Sequence, residues 1–231
     1  MIACSEGNMP TRPRVVAFDV VETLMSLEPL RGRFAEVGLA PELVPRWFDR
    51  TLRDGMALTL AGDYAAFPEV GASALRTLAG GSLDEDAVAH VMRGFAALPA
   101  QPDAEPAMRV LSEAGIAVVC LSNGTAETTT GFLDRTGLSR HVEQVISVAD
   151  VRSWKPPRRV YEYALELTGC SAGEVFLVAV HAFDCHGAKR AGLGAGWAGR
   201  LEGHYAEVFT PADVVGRDLV EVASRIAALP R

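Results

Sequence analysis

The stretch RVVAFDVVETL, residues 14–24, decides the fold. The candidate strand Arg14–Asp19 (RVVAFD) is apolar through its middle and ends on a carboxylate, Asp19. A short, continuously apolar run bounded by turn residues reads as a strand buried on both faces. An acid at its end costs desolvation energy unless partners hold it ionised, which points to chemistry. Asp is also common in the turn that follows a strand, and on these residues alone the two readings balance.

Outward from this stretch, comparable runs recur at Ile116–Leu121 (IAVVCL), Gln144–Val148 (QVISV), Val175–Val180 (VFLVAV) and Gly194–Ala198. Helical patterns lie between them, around Ala104–Glu113, Thr125–Thr136, Pro157–Leu167 and Ala182–Ala191. Strands alternating with helices predict βαβ units and an α/β fold, a parallel sheet with helices on both faces. The strand after Asp19 does not arrive until Ile116, and the intervening segment repeats apolar residues at helical spacing (Leu39, Leu43, Trp47; Leu52, Met56, Leu60; Val88, Met92, Phe95). It predicts an all-helical insertion where the first strand ends. The ligand crevice of an open α/β sheet lies at the carboxyl ends of its strands, so the insertion is expected to cover the site. The Pro-rich LPAQPDAEP, residues 98–106, reads as the return linker.

The chain has 231 residues, 49% hydrophobic and 22% charged, enough apolar surface for a sizeable core. A formal charge of −7 without a Lys/Arg cluster argues against a nucleic-acid partner, since binding a polyanion needs a basic face. Residues 1–14, MIACSEGNMPTRPR, lack the apolar run of a signal peptide, and no stretch of about 18 apolar residues is available to span a membrane. Cys4, Cys120, Cys170 and Cys185 show no zinc-site spacing and read as idle thiols in a reducing compartment. A cytoplasmic protein with a small-molecule substrate is expected.

Three more segments carry groups capable of chemistry. Leu121-Ser122-Asn123-Gly124 ends an apolar run; its polar side chains either cap the next helix or aim donors at an anion. In Ser153-Trp154-Lys155-Pro156-Pro157 a lone Lys precedes two prolines; it is either a solvated surface residue or an ammonium held beside a buried acid. Asp184 begins a helical segment after the Val175–Val180 run, as an N-cap or as part of the site. Each falls at the end of a different predicted strand, so one crevice would hold them all.

In this order FDVVETL (18–24), LSNG (121–124), SWKPPRRVY (153–161) and VAVHAFDCHGAKRAG (178–192) resemble the four motifs of the haloacid dehalogenase superfamily, over about Arg14 to Arg200. The resemblance implies a Rossmann-like three-layer core over 12–28 and 100–231, a helical cap over 29–99, a flexible tail over 1–11 and an aspartate nucleophile at Asp19. Magnesium-dependent phosphotransferases of this superfamily use an acid two positions after the nucleophile and another just past the fourth strand; here those positions are Val21 and Val180. Neither side chain binds a cation or moves a proton. The sequence is therefore most similar to the metal-independent type II 2-haloacid dehalogenases, which it also resembles in Val160-Tyr161 and in Ala182-Phe183-Asp184, and no metal or cofactor is expected.

The resemblance implies that Asp19 attacks the halogen-bearing carbon of a short 2-haloacid and that water hydrolyses the resulting ester. Lys155 would hold Asp19 anionic, and Asp184 would orient Lys155 and the water. Thr23, Ser122 and Asn123 would grip the substrate carboxylate or the halide, and Tyr161 would either bond Asp184 or the substrate or simply pack on the sheet. Three departures stand out. The cap Arg that reaches the halide falls at Phe48 or Asp49, with Arg50, Arg46 or Arg53 as substitutes if the helix is shifted. Val21 replaces an aromatic residue that lines the pocket. Ala179 and His181 replace a Ser and an Asn. His181 is expected to act as a general base or anion donor. Glu22, where a Gly is common, reads as a turn residue facing solvent, and His186 as solvated. Rival readings are a magnesium-dependent small-metabolite phosphatase and a degenerate member that binds a small carboxylate or a partner without turnover. The apolar surface of a cap makes a homodimer the expected assembly.

Overall fold

The computed structural model describes residues 10–231; Cys4 and most of the expected tail lie outside them. Six parallel strands form one sheet in the order β3-β2-β1-β4-β5-β6: β1 (Val15–Phe18), β2 (Ala117–Ser122), β3 (Gln144–Ser147), β4 (Val175–Ala179), β5 (Gly194–Ala198) and β6 (Val214–Gly216). β1 is central, paired with β2 on one side and β4 on the other. Side chains alternate across it: Val16 and Phe18 enter one core, Val15 and Ala17 the other. On the first face pack α5 (Ala104–Glu113), α6 (Ala126–Thr136) and α9 (Leu219–Ala227); on the second pack α7 (Arg158–Thr168) and α8 (Ala182–Ala191). This is the expected Rossmann-like α/β arrangement.

Between β1 and α5 the chain forms α1 (Leu30–Glu36), α2 (Leu43–Ala61), α3 (Phe67–Leu78), α4 (Glu85–Met92) and a 3-10 turn over Arg93–Ala97. The outgoing and returning chains are laced together by Ser26 N–H to Pro99 O at 2.9 Å and Gln101 N–H to Leu24 O at 2.7 Å. The first core is continuous through this junction. Phe18, Leu24 and Met25 share it with Phe34, Trp47, Phe48, Phe67 and Phe95, each worth about 1.5–3 kcal/mol of burial. Helix ends follow local chemistry: Asp84 caps α4 by accepting from Ala87 N–H, and α2 stops at Gly62, whose φ of 89° is open to glycine at no steric cost.

Two features differ from the sequence expectation. The sheet continues past Ala198 to β6, three residues long and too short to show a period, and α9 follows it. On α2 the buried face runs Val44, Trp47, Phe48, Thr51, Leu52, Gly55 and Thr59, whereas Leu60, read as part of an inward stripe, is 86% exposed. Past Leu52 the inner face is carried by Gly55 and Thr59, which apolarity alone does not mark.

Candidate active site

The carboxyl ends of β1 and β4, the loop after β3 and the first turn of α8 meet at the sheet's topological switch point. Lys155, fully buried, reaches Asp19 Oδ1 at 2.9 Å and Asp184 Oδ2 at 2.7 Å with its ammonium. Thr23 donates its hydroxyl to Asp19 Oδ2 at 2.7 Å and accepts the Val180 N–H at 3.2 Å, tying the turn after β1 to the end of β4. Tyr161, fully buried on α7, donates to Asp184 Oδ1 at 2.6 Å. Asp184 does not cap α8: that position belongs to His181.

Charge explains the arrangement. Burial alone would push the Asp19 carboxyl up, but Lys155, His181 and the Thr23 hydroxyl outweigh it and hold Asp19 below the usual carboxylate range. Burial would likewise neutralise Lys155, and the two aspartates more than offset it, so the ammonium titrates above its ordinary value. Asp184 is raised, chiefly by burial and then by Asp19 across the ammonium. The result is an ionised Asp19 beside a fixed cation, the state a carboxylate nucleophile needs. Cys120, buried in β2, is pushed up to about 12 by burial, which keeps it an inert thiol.

The remaining groups position Lys155 and the cap. Asn123 accepts the Lys155 backbone N–H on Oδ1 at 3.0 Å, and Ser122 accepts Gly124 N–H at 2.9 Å. Trp154 is clasped by the cap: its backbone N–H donates to Thr59 at 2.9 Å, its indole N–H to Ala65 O at 3.0 Å, and its ring stacks on Phe67 at 5.8 Å. A mostly apolar cavity of about 290 Å³ lies between cap and core, lined by Val20, Val21, Phe67, Phe95, Ser122 and Thr129 among others. Among the described residues, no group of three or more His, Cys, Asp or Glu side chains is placed to hold a metal ion.

Comparison with known proteins identifies the family. The family model for haloacid dehalogenase-like hydrolases matches residues 85–198. The (S)-2-haloacid dehalogenase 1 of Pseudomonas sp. (strain CBS-3) is 31% identical over 185 residues, covering 78% of this chain and 82% of its own. The chain belongs to the haloacid dehalogenase-like hydrolases. The (S)-2-haloacid dehalogenase 4A of Burkholderia cepacia is also 31% identical, over 78% of this chain and 80% of its own. Among solved structures, a dehalogenase with an intermediate complex superposes with a TM-score of 0.86 at 28% identity, over 94% of this chain and 98% of that one. Among the described residues, no helix is long and apolar enough to cross a membrane.

Against this hydrolase background the departures take physical form. The cap side chain that meets the core at the expected Arg position is Phe48, whose ring lies 6.1 Å from that of His181. Arg50 sits about 200° further round the helix and is only half-buried; Arg46 is exposed, and Arg53 is exposed and paired with Asp54. Glu22 does not face solvent as its turn position suggested: its side chain is 16% exposed and points at His181. His186 is not solvated either; it accepts the Thr210 N–H on Nδ1 at 3.0 Å and stacks on Phe209. Sequence reasoning assigned no role to Arg200, which donates to the carbonyls of Glu22 and Thr23 and so fixes the turn after β1. It also passed over Thr59 and Gly55, because contact across the cap has no local sequence signal.

Proposed function

We propose that this hydrolase removes halide from a short 2-haloacid without a metal, in two steps. The observation that carries the reading is the ion pair of Asp19 with Lys155 at 2.9 Å, both buried, which supplies a desolvated, ionised oxygen next in the chain to Val20 and Val21 of the apolar cavity wall. In the first step Asp19 forms a C–O bond to the halogen-bearing carbon, the carbon–halogen bond breaks, and halide departs with the electron pair. In the second, water attacks the carbonyl carbon of the aspartyl ester and restores Asp19. Lys155 keeps Asp19 charged; Asp184 and Tyr161 hold Lys155. Ser122 and Asn123 supply donors for the substrate's anionic groups, the Thr23 hydroxyl stays on Asp19 Oδ2, and Val21 gives the pocket an apolar wall. Helices within 29–99 act as a cap that excludes water from the first step. The two (S)-2-haloacid dehalogenase relatives support the choice of substrate class. So do the buried Val21 and Val180, which offer no acid–base group for phosphoryl transfer.

Single-turnover reaction with chloroacetate tests this. The Asp19 peptide gains the mass of a carboxymethyl ester, one halide is released per chain, EDTA has no effect, and Asp19→Asn gives neither product. Failure of the unaltered enzyme to release halide from a panel of 2-haloacids, or turnover of phosphate esters that requires magnesium, overturns the reading.

A further inference from the structure

Hydrolysis of an aspartyl ester needs a base to take a proton from water. The motif resemblance has Asp184 orient the water, and both its oxygens are committed, Oδ2 to Lys155 and Oδ1 to Tyr161, with the residue 1% exposed.

A second base stands at the N-cap position of α8. His181 is 7% exposed and its Nε2 is buried without a hydrogen-bond partner, 3.4 Å from Glu22 Oε2. It follows Val180 directly, whose N–H bonds the same Thr23 hydroxyl that donates to Asp19. The ring is flanked by Phe48 from α2 at 6.1 Å and Phe183 from α8 at 5.4 Å, the latter stacked, which fixes its plane. His181 also lines a cleft of about 460 Å³ that gives a proton a way out.

Glu22 occupies left-handed backbone, with φ of 65°, where glycine would rest without cost. A buried acid in such a conformation incurs backbone strain and forfeits solvation energy, and groups kept on those terms cluster at functional sites. Its carbonyl is pinned by Arg200 at 3.0 Å and Gln101 at 3.3 Å, so the turn presents the side chain in one direction. The charged groups around the pair are Asp19 just after β1, Asp49 on α2 and Arg200 after β5, with Arg53 and Glu202 lining the cleft beside His181.

We propose that Glu22 and His181 form an acid–base dyad that drives ester hydrolysis, with Glu22 as the positioning residue. This rests on the two-step reading above. When the ester is hydrolysed the 3.4 Å approach tightens to a hydrogen bond in which Glu22 accepts Nε2–H, leaving Nδ1 as the basic nitrogen. Nδ1 takes a proton from water as the water oxygen bonds to the ester carbonyl carbon of Asp19; the intermediate collapses with cleavage of the bond from that carbon to the substrate oxygen. The imidazolium returns its proton to the leaving alkoxide, giving the 2-hydroxyacid, and the regenerated Asp19 carboxyl releases its proton to solvent. Burial pushes the Glu22 carboxyl up to about 7, against the opposing pull of His181, so hydrolysis of the ester declines as pH falls through that value.

Rapid-quench reaction with chloroacetate separates the steps. In Glu22→Gln and His181→Ala the halide burst persists, the Asp19 ester accumulates, and kcat falls at least about 10-fold together with KM. Glu22→Asp recovers part of the rate, and the acid limb near pH 7 disappears in Glu22→Gln. Glu22→Gly relieves the left-handed backbone and keeps the melting temperature, so the same accumulation there is not a folding defect. The ring ¹⁵N resonances of His181 shift in Glu22→Gln, a readout that needs no turnover. Unchanged resonances, or variants whose ester decays as fast as the parent's, overturn the dyad. If the unaltered enzyme forms no ester at all, the dehalogenase reading fails first and the dyad with it.

Discussion

Lys155 Nζ and Asp19 Oδ1, 2.9 Å apart, come from residues 136 positions apart in the chain, and Lys155 has no exposed surface. The same ammonium bonds Asp184, so one cation serves two buried acids. Such a cluster does not need to stabilise the fold relative to an apolar core; its value is the ionised oxygen it maintains.

Removing the cation while leaving both acids is therefore costly. Lys155→Met is expected to lose about 3–5 kcal/mol in urea unfolding and all measurable halide release. Adding Asp184→Asn to that variant removes one uncompensated charge and recovers part of the stability, with no recovery of activity.

Tyr161→Phe deletes the donor to Asp184 Oδ1 and leaves the ring's packing intact. The cost expected is about 1–3 kcal/mol, that of a buried carboxylate oxygen without its partner. Halide release slows but persists, because Lys155 still holds Asp19; denaturation and initial rates measured side by side check both.

The junction of cap and core is sensitive at Gly55, where an added Cβ would fall 2.2 Å from the Trp154 ring. Gly55→Ala is expected to cost at least about 1–3 kcal/mol and to raise KM by displacing Trp154 and the adjoining Lys155. Gly32, inside α1 with nothing within 4 Å, is the control: Gly32→Ala gains about 0.5–1 kcal/mol.

Glu22 gives a pH signature in stability. Its carboxyl rises from 4.5 to about 7 on folding, mainly through burial, so the folded state holds the proton more tightly. The stabilisation is fully present below 4.5 and is lost as pH rises through about 7. Glu22→Gln, which carries no such charge, should gain on the parent by about 3 kcal/mol between those limits, at 1.36 kcal/mol per unit. Thermal or urea midpoints of the two proteins across pH 4–8 report this difference; parallel curves would show that the carboxyl is not shifted.

The strand ending at Asp19, the polar ends at Ser122 and Asn123, the Lys before Pro156 and Pro157, and Asp184 in the first turn of a helix were all legible in the chain. Apolar runs, turn residues and motif spacing are local properties, and they were enough to order the α/β core and to place an acid at the end of β1. Other features required distant segments to meet. Phe48 rather than Arg50 reaches His181 because α2 is docked by Gly55 and Thr59 on Trp154, a contact between residues 95 positions apart at the Thr59–Trp154 bond. Glu22 turns inward because Arg200, 178 positions away, pins its carbonyl. Sequence neighbours set the backbone's local preferences; which side chains then share a dry, low-dielectric space depends on sheet order and on packing between elements, and that sharing decides which acids stay charged.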